Sequence, residues 1–241
     1  MLKKDIGLIL KQIKYNDKSN IITIFTKNLG KNYFILYGIN SERKGKLLRN
    51  IINPLYPVNI VYYYKENQNL NKIKEISITN SYRNIISCFN KKAILLFLSE
   101  ILDNSLMENM QDIQLFDFII HSLQLLDITN KNYSNFHILF IIKFLSYLGI
   151  YPINNFSPQN SFFNIIQGKF SQKYESGLSL DAKLSKTFSQ LLNMSITEFD
   201  KITLSRSERN ILLHFLIDYL KFHLEQFKSI NSLEILEEIF N

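Results

Sequence analysis

The sequence of 241 residues contains a single cysteine, Cys88. One cysteine cannot form a disulfide framework within the chain, nor can it supply the several thiolates of a cysteine-based zinc site. This scarcity is typical of proteins from a reducing compartment. Cys88 lies between Ser87 and Phe89, with no adjacent basic group to activate its thiol, so we predict an inert side chain rather than a nucleophile.

The sequence also lacks a segment that could cross a bilayer or direct secretion. Residues 1–6 include two lysines, but no long apolar run or small-residue cleavage site follows them. The most apolar stretch, 136–151, is interrupted by His137 and Lys143 and is too short to span a membrane. We therefore predict a soluble, cytoplasmic protein that contacts no membrane.

Common catalytic and nucleotide-binding motifs are absent. The sequence has no Gly-x-x-x-x-Gly-Lys loop, no Gly-x-Gly-x-x-Gly, no His-Glu-x-x-His and no Gly-x-Ser-x-Gly. Two of its four histidines, His214 and His223, are nine positions apart on one predicted helix, which is not a metal-ligand spacing. We therefore predict a binding protein rather than an enzyme, with no cofactor and no metal.

The net charge of +7 is unevenly distributed along the chain. Residues 1–80 contain 14 Lys and Arg against 5 Asp and Glu, a balance of +9, whereas residues 81–241 contain 14 against 16, a balance of −2. Such an asymmetry indicates a polyanionic partner for the first part. The simpler interpretation is a solvated lysine-rich face, enriched by an AT-rich genome, but codon drift would raise both parts alike.

Residues 9–40 contain three short runs rich in Ile, Phe, Tyr and Thr, separated by polar breaks at 16–20 and 28–32. This pattern predicts an antiparallel β-meander. Lysines and tyrosines interleave in it, and a lysine can contact phosphate while an aromatic ring can stack on any base. The predicted nucleic-acid contacts, including those in the basic loop that follows, are Lys11, Lys14, Lys18, Lys27, Lys31, Arg43, Lys44, Lys46, Arg49, Tyr15 and Tyr37.

Two further strands complete a predicted small barrel. After the basic loop at 41–49, residues 58–65 and 72–79 have the composition of a fourth and a fifth strand, joined by a turn at 66–69. Five strands in this length favour an oligonucleotide-binding (OB) fold, and an SH3-like barrel is the structural alternative. We predict an α+β protein with an N-terminal five-stranded OB-fold β-barrel over residues 1–80, followed by a C-terminal α-helical domain.

From residue 82 onward, apolar residues recur at helical spacing. Asn90 and Asp112 are predicted to cap two helices. A third, apolar nearly all round and therefore buried, is predicted over about 135–148 and ends before Gly149. The motif at 205–208, Ser-Arg-Ser-Glu, is a capping box that opens a strong helix.

The rest of the predicted helical domain, 81–241, is less regular. Residues 153–180 form an irregular insertion, within which 162–170 suggest a small hairpin. A short last helix is predicted over 232–240. His137 is predicted to be a partly buried structural histidine.

The order of the motifs along the chain resembles that of a known protein family. In the first part, the similarity lies in Tyr15-x-Asp17-Lys18-Ser19, Ile22-Thr-Ile-Phe25-Thr26-x-x-x-Gly30, Gly38 with its basic loop, and Pro54. In the second part, it lies in Leu98-Ser-Glu100-Ile-Leu102, Leu115-Phe116, Phe136…Phe140…Leu148-Gly149-x-x-Pro152, Phe163…Gly168-x-Phe170 and Arg209…Leu213…Tyr219…His223. In this order the motifs resemble those of the bacterial recombination mediators called RecO, and the ending, 227–240, is similar to the Bacteroidetes version.

The resemblance implies a non-enzymatic protein of DNA repair by homologous recombination. It implies binding to single- and double-stranded DNA, annealing of complementary strands and, with RecR, loading of the RecA recombinase onto DNA coated by single-strand-binding protein. In this family the helical domain docks the acidic and apolar tail of the single-strand-binding protein. The positive residues that could rim such a groove here are Lys143, Arg206, Arg209, Lys221 and Lys228.

Two features depart from the family pattern. Many members hold a four-cysteine zinc cluster after the Gly-x-x-Pro block, whereas residues 153–200 here contain no cysteine, so no zinc is expected. Arginine is also sparse, at 5 against 23 lysines, which fits non-specific phosphate contact better than base readout.

Two other function classes remain as alternatives. The first is a protein-interaction scaffold whose basic β-barrel binds DNA only incidentally. The second is a small nuclease, which the lack of paired carboxylates near the basic loop disfavours.

Overall fold

The computed structural model describes residues 1–65, 70–79 and 82–240. The predicted turn at 66–69 lies outside these residues. Five strands form a closed barrel at the N-terminus. They are β1 (Leu2–Asn16), β2 (Ser19–Thr26), β3 (Gly30–Tyr37), β4 (Pro57–Tyr63) and β5 (Leu70–Ile78).

The strand order identifies the barrel as an OB-fold. Around the barrel the order is β1-β2-β3-β5-β4, and β4 closes it by pairing with β1. All neighbours are antiparallel except β3 and β5, which are parallel. The prediction of an OB-fold β-barrel followed by helices is therefore confirmed, and the SH3-like alternative is not needed.

Side chains that alternate along the strands fill the barrel. Ile22 and Ile24 of β2 and Phe34 and Leu36 of β3 face the interior, where the ring of Phe34 meets Tyr62 edge-on at a centroid distance of 5.2 Å. Because side chains of a strand point alternately to its two faces, the residues between these lie on the outer face of the barrel.

The predicted basic loop at 41–49 is wrong, because these residues form a helix, α1 (Glu42–Ile51). The Ser41 side chain accepts a hydrogen bond from the backbone N–H of Gly45, and Glu42 lies in the positive first turn. Ile51 at the end of α1 joins the barrel core. The helix is stabilised by this docking, which the short and strongly charged sequence does not reveal.

Six further helices follow the barrel in the described part of the chain. They are α2 (Phe89–Ser105), α3 (Ile113–Ile128), α4 (Phe136–Tyr147), α5 (Ala182–Asn193), α6 (Arg206–His223) and α7 (Leu233–Ile239). A 3-10 helix covers Ile196–Lys201, and the predicted hairpin is confirmed as β6 (Phe162–Asn164) and β7 (Lys169–Ser171). None of the helices in the described ranges is long and apolar enough to cross a membrane.

Most of the predicted helix signals are confirmed. The Asp112 carboxylate accepts a hydrogen bond from the Leu115 N–H, and Ser205 forms the predicted capping box with Glu208. The cap at Asn90 is wrong, since the N-cap residue of α2 is Cys88 and Asn90 lies in the first turn.

Helix α4 is the buried helix that its composition predicts, with nine of its residues buried. His137 is fully rather than partly buried, and its ring packs against Phe240 at a centroid distance of 6.0 Å. Burial, with a smaller contribution from the Arg209 charge, lowers the pKa of His137 from 6.5 to about 3. The imidazole of the folded protein is therefore neutral at neutral pH.

The chain divides into two compact units. Unit 1 comprises Met1–His121 and Ile230–Leu233, and unit 2 comprises Ser122–Ser229 and Glu234–Asn241. Helix α2 and the first part of α3 thus group with the barrel. The domain boundary near residue 81 stays a prediction.

Candidate nucleic-acid interface

Residues of unit 1 that follow the barrel cover part of the outer face of β2 and β3. The ring of Phe116 packs against Phe25 with centroids 5.8 Å apart. The Tyr33 hydroxyl donates to the Glu108 carboxylate at 2.6 Å, and this hydrogen bond is the main reason why the pKa of Tyr33 rises to about 12. OB-folds commonly bind oligonucleotides on the face of strands 2 and 3. Part of that face is therefore already covered by the protein's own residues here.

Three of the lysines predicted to contact DNA are paired with acids in or beside this covered region. Lys31 is only 8% exposed, and its ammonium lies 3.0 Å from a carboxylate oxygen of Asp103 and also donates to the Asp103 backbone carbonyl. The Lys11 ammonium is 3.8 Å from the same carboxylate, and Lys27 donates to Asp117 at 2.8 Å. That these three lysines contact DNA stays a prediction. The interface described below does not include Lys31.

The other predicted cations whose side chains are described are exposed: Lys14, Lys18, Lys46 and Arg49. The Lys14 ammonium lies 2.9 Å from the Asp17 carboxylate, and the Arg49 guanidinium donates to a backbone carbonyl at 2.8 Å. Both contacts leave the groups near the surface, where ion pairs contribute little. The side chains of Arg43 and Lys44 lie outside the described part of the structure.

One row of residues on the outer side of the strands begins at the exposed Ile13 and ends at the exposed Tyr63, with the buried Ile35 between them. The pairing places Ile13 of β1 opposite Ile21 of β2, and Ile21 opposite Ile35 of β3. Through the parallel pairing of β3 and β5, Ile35 lies opposite Lys72, which in turn lies opposite Tyr63 of β4. The row therefore joins all five strands.

Two exposed rings flank a lysine on this row. Tyr37, two residues after Ile35, faces the same way, and the Lys72 ammonium lies 5.0 Å from its ring centroid. Tyr37 is 49% exposed and Tyr63 is 45% exposed. We call Ile21, Tyr37, Tyr63 and Lys72 the aromatic platform. Sites that bind single strands without sequence preference combine aromatic rings, on which bases stack, with positive groups that contact phosphates. The platform contains both kinds of group.

Sequence reasoning identified only part of this platform. It named Tyr37, and also Tyr15, which is exposed at the irregularity near the end of β1. It missed Lys72 and Tyr63, although both lie on predicted strands. Alternation could have found Tyr63, because the apolar Val58 and Ile60 alternate with the polar Asn59, and every second residue from Asn59 onward lies on the same outer face.

Comparison with known proteins identifies the family. A family model described as "Recombination protein O N terminal" matches residues 1–82, and one described as "Recombination protein O C terminal" matches residues 87–233. The chain belongs to the RecO family. It is 31% identical to a protein named "DNA repair protein RecO" from Phocaeicola vulgatus over the full length of both chains. It is 32% identical to the protein of that name from Flavobacterium psychrophilum over 98% of each chain.

This RecO-family membership, predicted from the motifs, is confirmed, and it makes the chain a DNA repair protein. A third relative, "DNA repair protein RecO" from Azobacteroides pseudotrichonymphae, is 30% identical over the full length of both chains. No group of three or more His, Cys, Asp and Glu side chains in the described residues could hold a metal ion.

The predicted partner rim of the RecO-family chain lies in unit 2, where two of its members are engaged. The Lys143 ammonium donates to the Leu192 backbone carbonyl at 2.8 Å, and burial lowers the pKa of Lys143. Arg209 is buried and donates to the Phe240 backbone carbonyl at 2.9 Å. The remaining members, Arg206, Lys221 and Lys228, are exposed. The rim stays a prediction, carried by these three residues.

Proposed function

We propose that this RecO-family DNA repair protein binds single-stranded DNA on the aromatic platform and acts, without catalysis, as a recombination mediator. The observation that carries the proposal is the juxtaposition of Tyr37, Lys72 and Tyr63 on the uncovered face of an OB-fold barrel. Each ring offers a stacking surface that any base can use, and the ammonium complements the phosphate backbone.

The wider role follows from the family and the charge asymmetry. The barrel would bind single- and double-stranded DNA and bring complementary strands together for annealing. With RecR, the protein would help load the recombinase onto DNA covered by single-strand-binding protein. The excess positive charge of residues 1–80 supports backbone contact, because lysines displace the counterions of nucleic acid.

Platform binding is tested with the full-length protein and a fluorescent oligothymidylate, followed by anisotropy at two salt concentrations. Because stacking contributes about 1–3 kcal/mol per base, Tyr37→Ala and Tyr63→Ala should each weaken binding by about 5- to 150-fold. Tyr174→Ala is the matched control, since that tyrosine is comparably exposed but lies in unit 2. Unchanged affinity in both platform variants, with native circular dichroism, would exclude the platform.

The salt dependence measures the phosphate contacts separately. If about four lysines act together, the log–log slope for single-strand binding should be near −3, at about −0.7 per contact. Lys72→Gln should reduce the slope by about one contact. A slope near zero in the wild-type protein would rule out binding to the phosphate backbone.

The mediator role requires a second measurement. A labelled peptide with the acidic and apolar tail of single-strand-binding protein should bind the full-length protein at about micromolar strength, near −8 kcal/mol. A triple charge reversal of Arg206, Lys221 and Lys228 should slow its association, since rim charges set encounter rate. If the peptide does not bind while oligonucleotide does, the protein is a plain DNA-binding module.

The scaffold alternative is favoured by one observation. Met107, Met110 and Ile113, which lie at or between the ends of α2 and α3, are exposed apolar residues. Exposed methionines are common on adaptable protein-binding surfaces. Loss of a protein partner in Met107→Ser/Met110→Ser, combined with platform variants that keep full DNA affinity, would favour the scaffold.

A further inference from the structure

A groove of about 450 Å³ lies beside the platform. Its rim and floor include Lys4, Ile6, Lys27, Asn28, Asn59 and Val61. The volume falls within the range of small-ligand sites, about 300–1,000 Å³. None of these residues except Lys27 belongs to the DNA contacts predicted from sequence.

The strand pairing makes the groove continuous with the platform. Along β4, the outward residues Tyr63, Val61 and Asn59 follow one another at every second position, opposite Leu2, Lys4 and Ile6 of β1 respectively. From Tyr63 to Asn59 the distance along the strand is about 13 Å, at about 3.3 Å per residue. A DNA strand that is stacked on the ring of Tyr63 and continues along β4 therefore enters the groove within a few nucleotide lengths.

The groove combines an apolar floor with polar groups at its edge. Ile6 and Val61 are partly exposed and present the apolar surface, while Lys4 and Asn59 are exposed at the rim. Among the described residues, no ion pair involves Lys4, whereas the Lys27 ammonium is shared with Asp117. Lys4 is therefore the cation that is positioned to contact a phosphate here.

Asp5, an acidic residue that lines the groove, already accepts hydrogen bonds from neighbouring residues. The buried Asp5 carboxylate accepts hydrogen bonds from the backbone N–H and side-chain amide of Asn28, at 3.2 and 2.8 Å, and from the Ile6 N–H at 2.8 Å. Burial raises the pKa of Asp5. This carboxylate holds Asn28 at the rim, and its charge is offset by three donors, so it opposes a nearby phosphate only weakly.

The other route across the barrel is obstructed. Part of the outer face of β2 and β3 is covered by Phe116 and by Glu108, which is bonded to Tyr33. A DNA strand stacked on Tyr37 and Tyr63 would meet these groups if it continued along β2 and β3. It meets an open, partly apolar groove if it runs down β1 and β4.

The geometry points to the groove as a second nucleotide subsite, occupied by the same single strand that stacks on the platform. A base lies on the floor formed by Ile6 and Val61, its phosphate contacts the Lys4 ammonium, and the Asn59 amide faces the base edge. This inference rests on the proposed function and assigns the path of the strand, over β4 and β1 rather than across β2 and β3.

The test compares two lengths of oligothymidylate on full-length protein. Labelled oligomers of about 4 and about 12 nucleotides span the range that single OB-folds cover. In wild-type protein the longer oligomer should bind more tightly. In Lys4→Glu this length-dependent gain should fall by about fivefold or more, while affinity for the short oligomer, which the platform holds, stays unchanged. Lys4→Gln should lower the salt slope for the long oligomer by about 0.7.

The control for charge is Lys92→Glu, an exposed lysine on α2 outside the groove and the platform. It should leave the length-dependent gain intact. If Lys4→Glu and Lys92→Glu keep the same gain while short oligomers bind, the groove subsite is wrong and the proposed function stands. If wild-type protein binds neither length, both proposals fall.

Discussion

The pair formed by Lys31 and Asp103 offers a direct test of whether a predicted DNA-binding lysine is structural. We expect Lys31→Met to destabilise unit 1 without weakening DNA binding by the folded protein. The side chains of Lys31 and Asp103 are only 9% and 15% exposed, and the ammonium also donates to the Asp103 backbone carbonyl. Removal of the lysine leaves a largely buried carboxylate without its main partner.

The magnitude follows from the burial of the pair. Removing one partner of a buried ion pair costs about 3–5 kcal/mol, because the remaining charge stays desolvated. The Lys11 ammonium, 3.8 Å from the same carboxylate, offsets part of this, so we expect about 3 kcal/mol. For a chain of this size, that corresponds to a decrease of about 6–12 °C in melting temperature.

The assay is urea and thermal unfolding followed by circular dichroism, with oligonucleotide anisotropy at a temperature where the variant is folded. Lys31→Met/Asp103→Leu should recover most of the stability, since replacing both members of a buried pair with apolar groups is often neutral. A Lys31→Met variant that keeps wild-type stability but loses DNA affinity tenfold would refute this reasoning and make Lys31 a DNA contact.

Two further predictions concern elements that support the fold. Gly45→Ala should destabilise the protein by about 1–3 kcal/mol in thermal unfolding, because a Cβ there would lie 2.3 Å from the Ile39 carbonyl oxygen, a clash that outweighs the helix propensity of about 1 kcal/mol gained by alanine. The wild-type protein should lose stability as the pH falls from 6.5 to about 3, because His137 takes up a proton below 6.5 in the unfolded chain but only near 3 in the folded one. His137→Leu removes this group, so the variant should lose less stability over the same pH range. Parallel curves of melting temperature against pH would contradict the second prediction.

Local sequence determined the strands and several helix ends of this protein. Period-two alternation in 9–40 specifies which side chains can share a face, and the Ser205 capping box specifies where α6 begins. These signals depend on residues a few positions apart, so they are visible without the fold. The charge asymmetry is likewise a property of the sequence, and it predicts that the barrel is the part that binds nucleic acid.

Tertiary structure decided which of the basic and aromatic residues can reach a ligand. Lys31 and Asp103 are 72 positions apart, and only the packing of α2 beside the barrel brings them together. Tyr37 and Lys72 meet because β3 and β5 pair in parallel, a pairing that no local pattern encodes. The sequence by itself thus determined that the first 80 residues form a basic β-barrel with exposed rings. Long-range pairing and burial decided which lysines are used by the fold and which stay exposed to solvent.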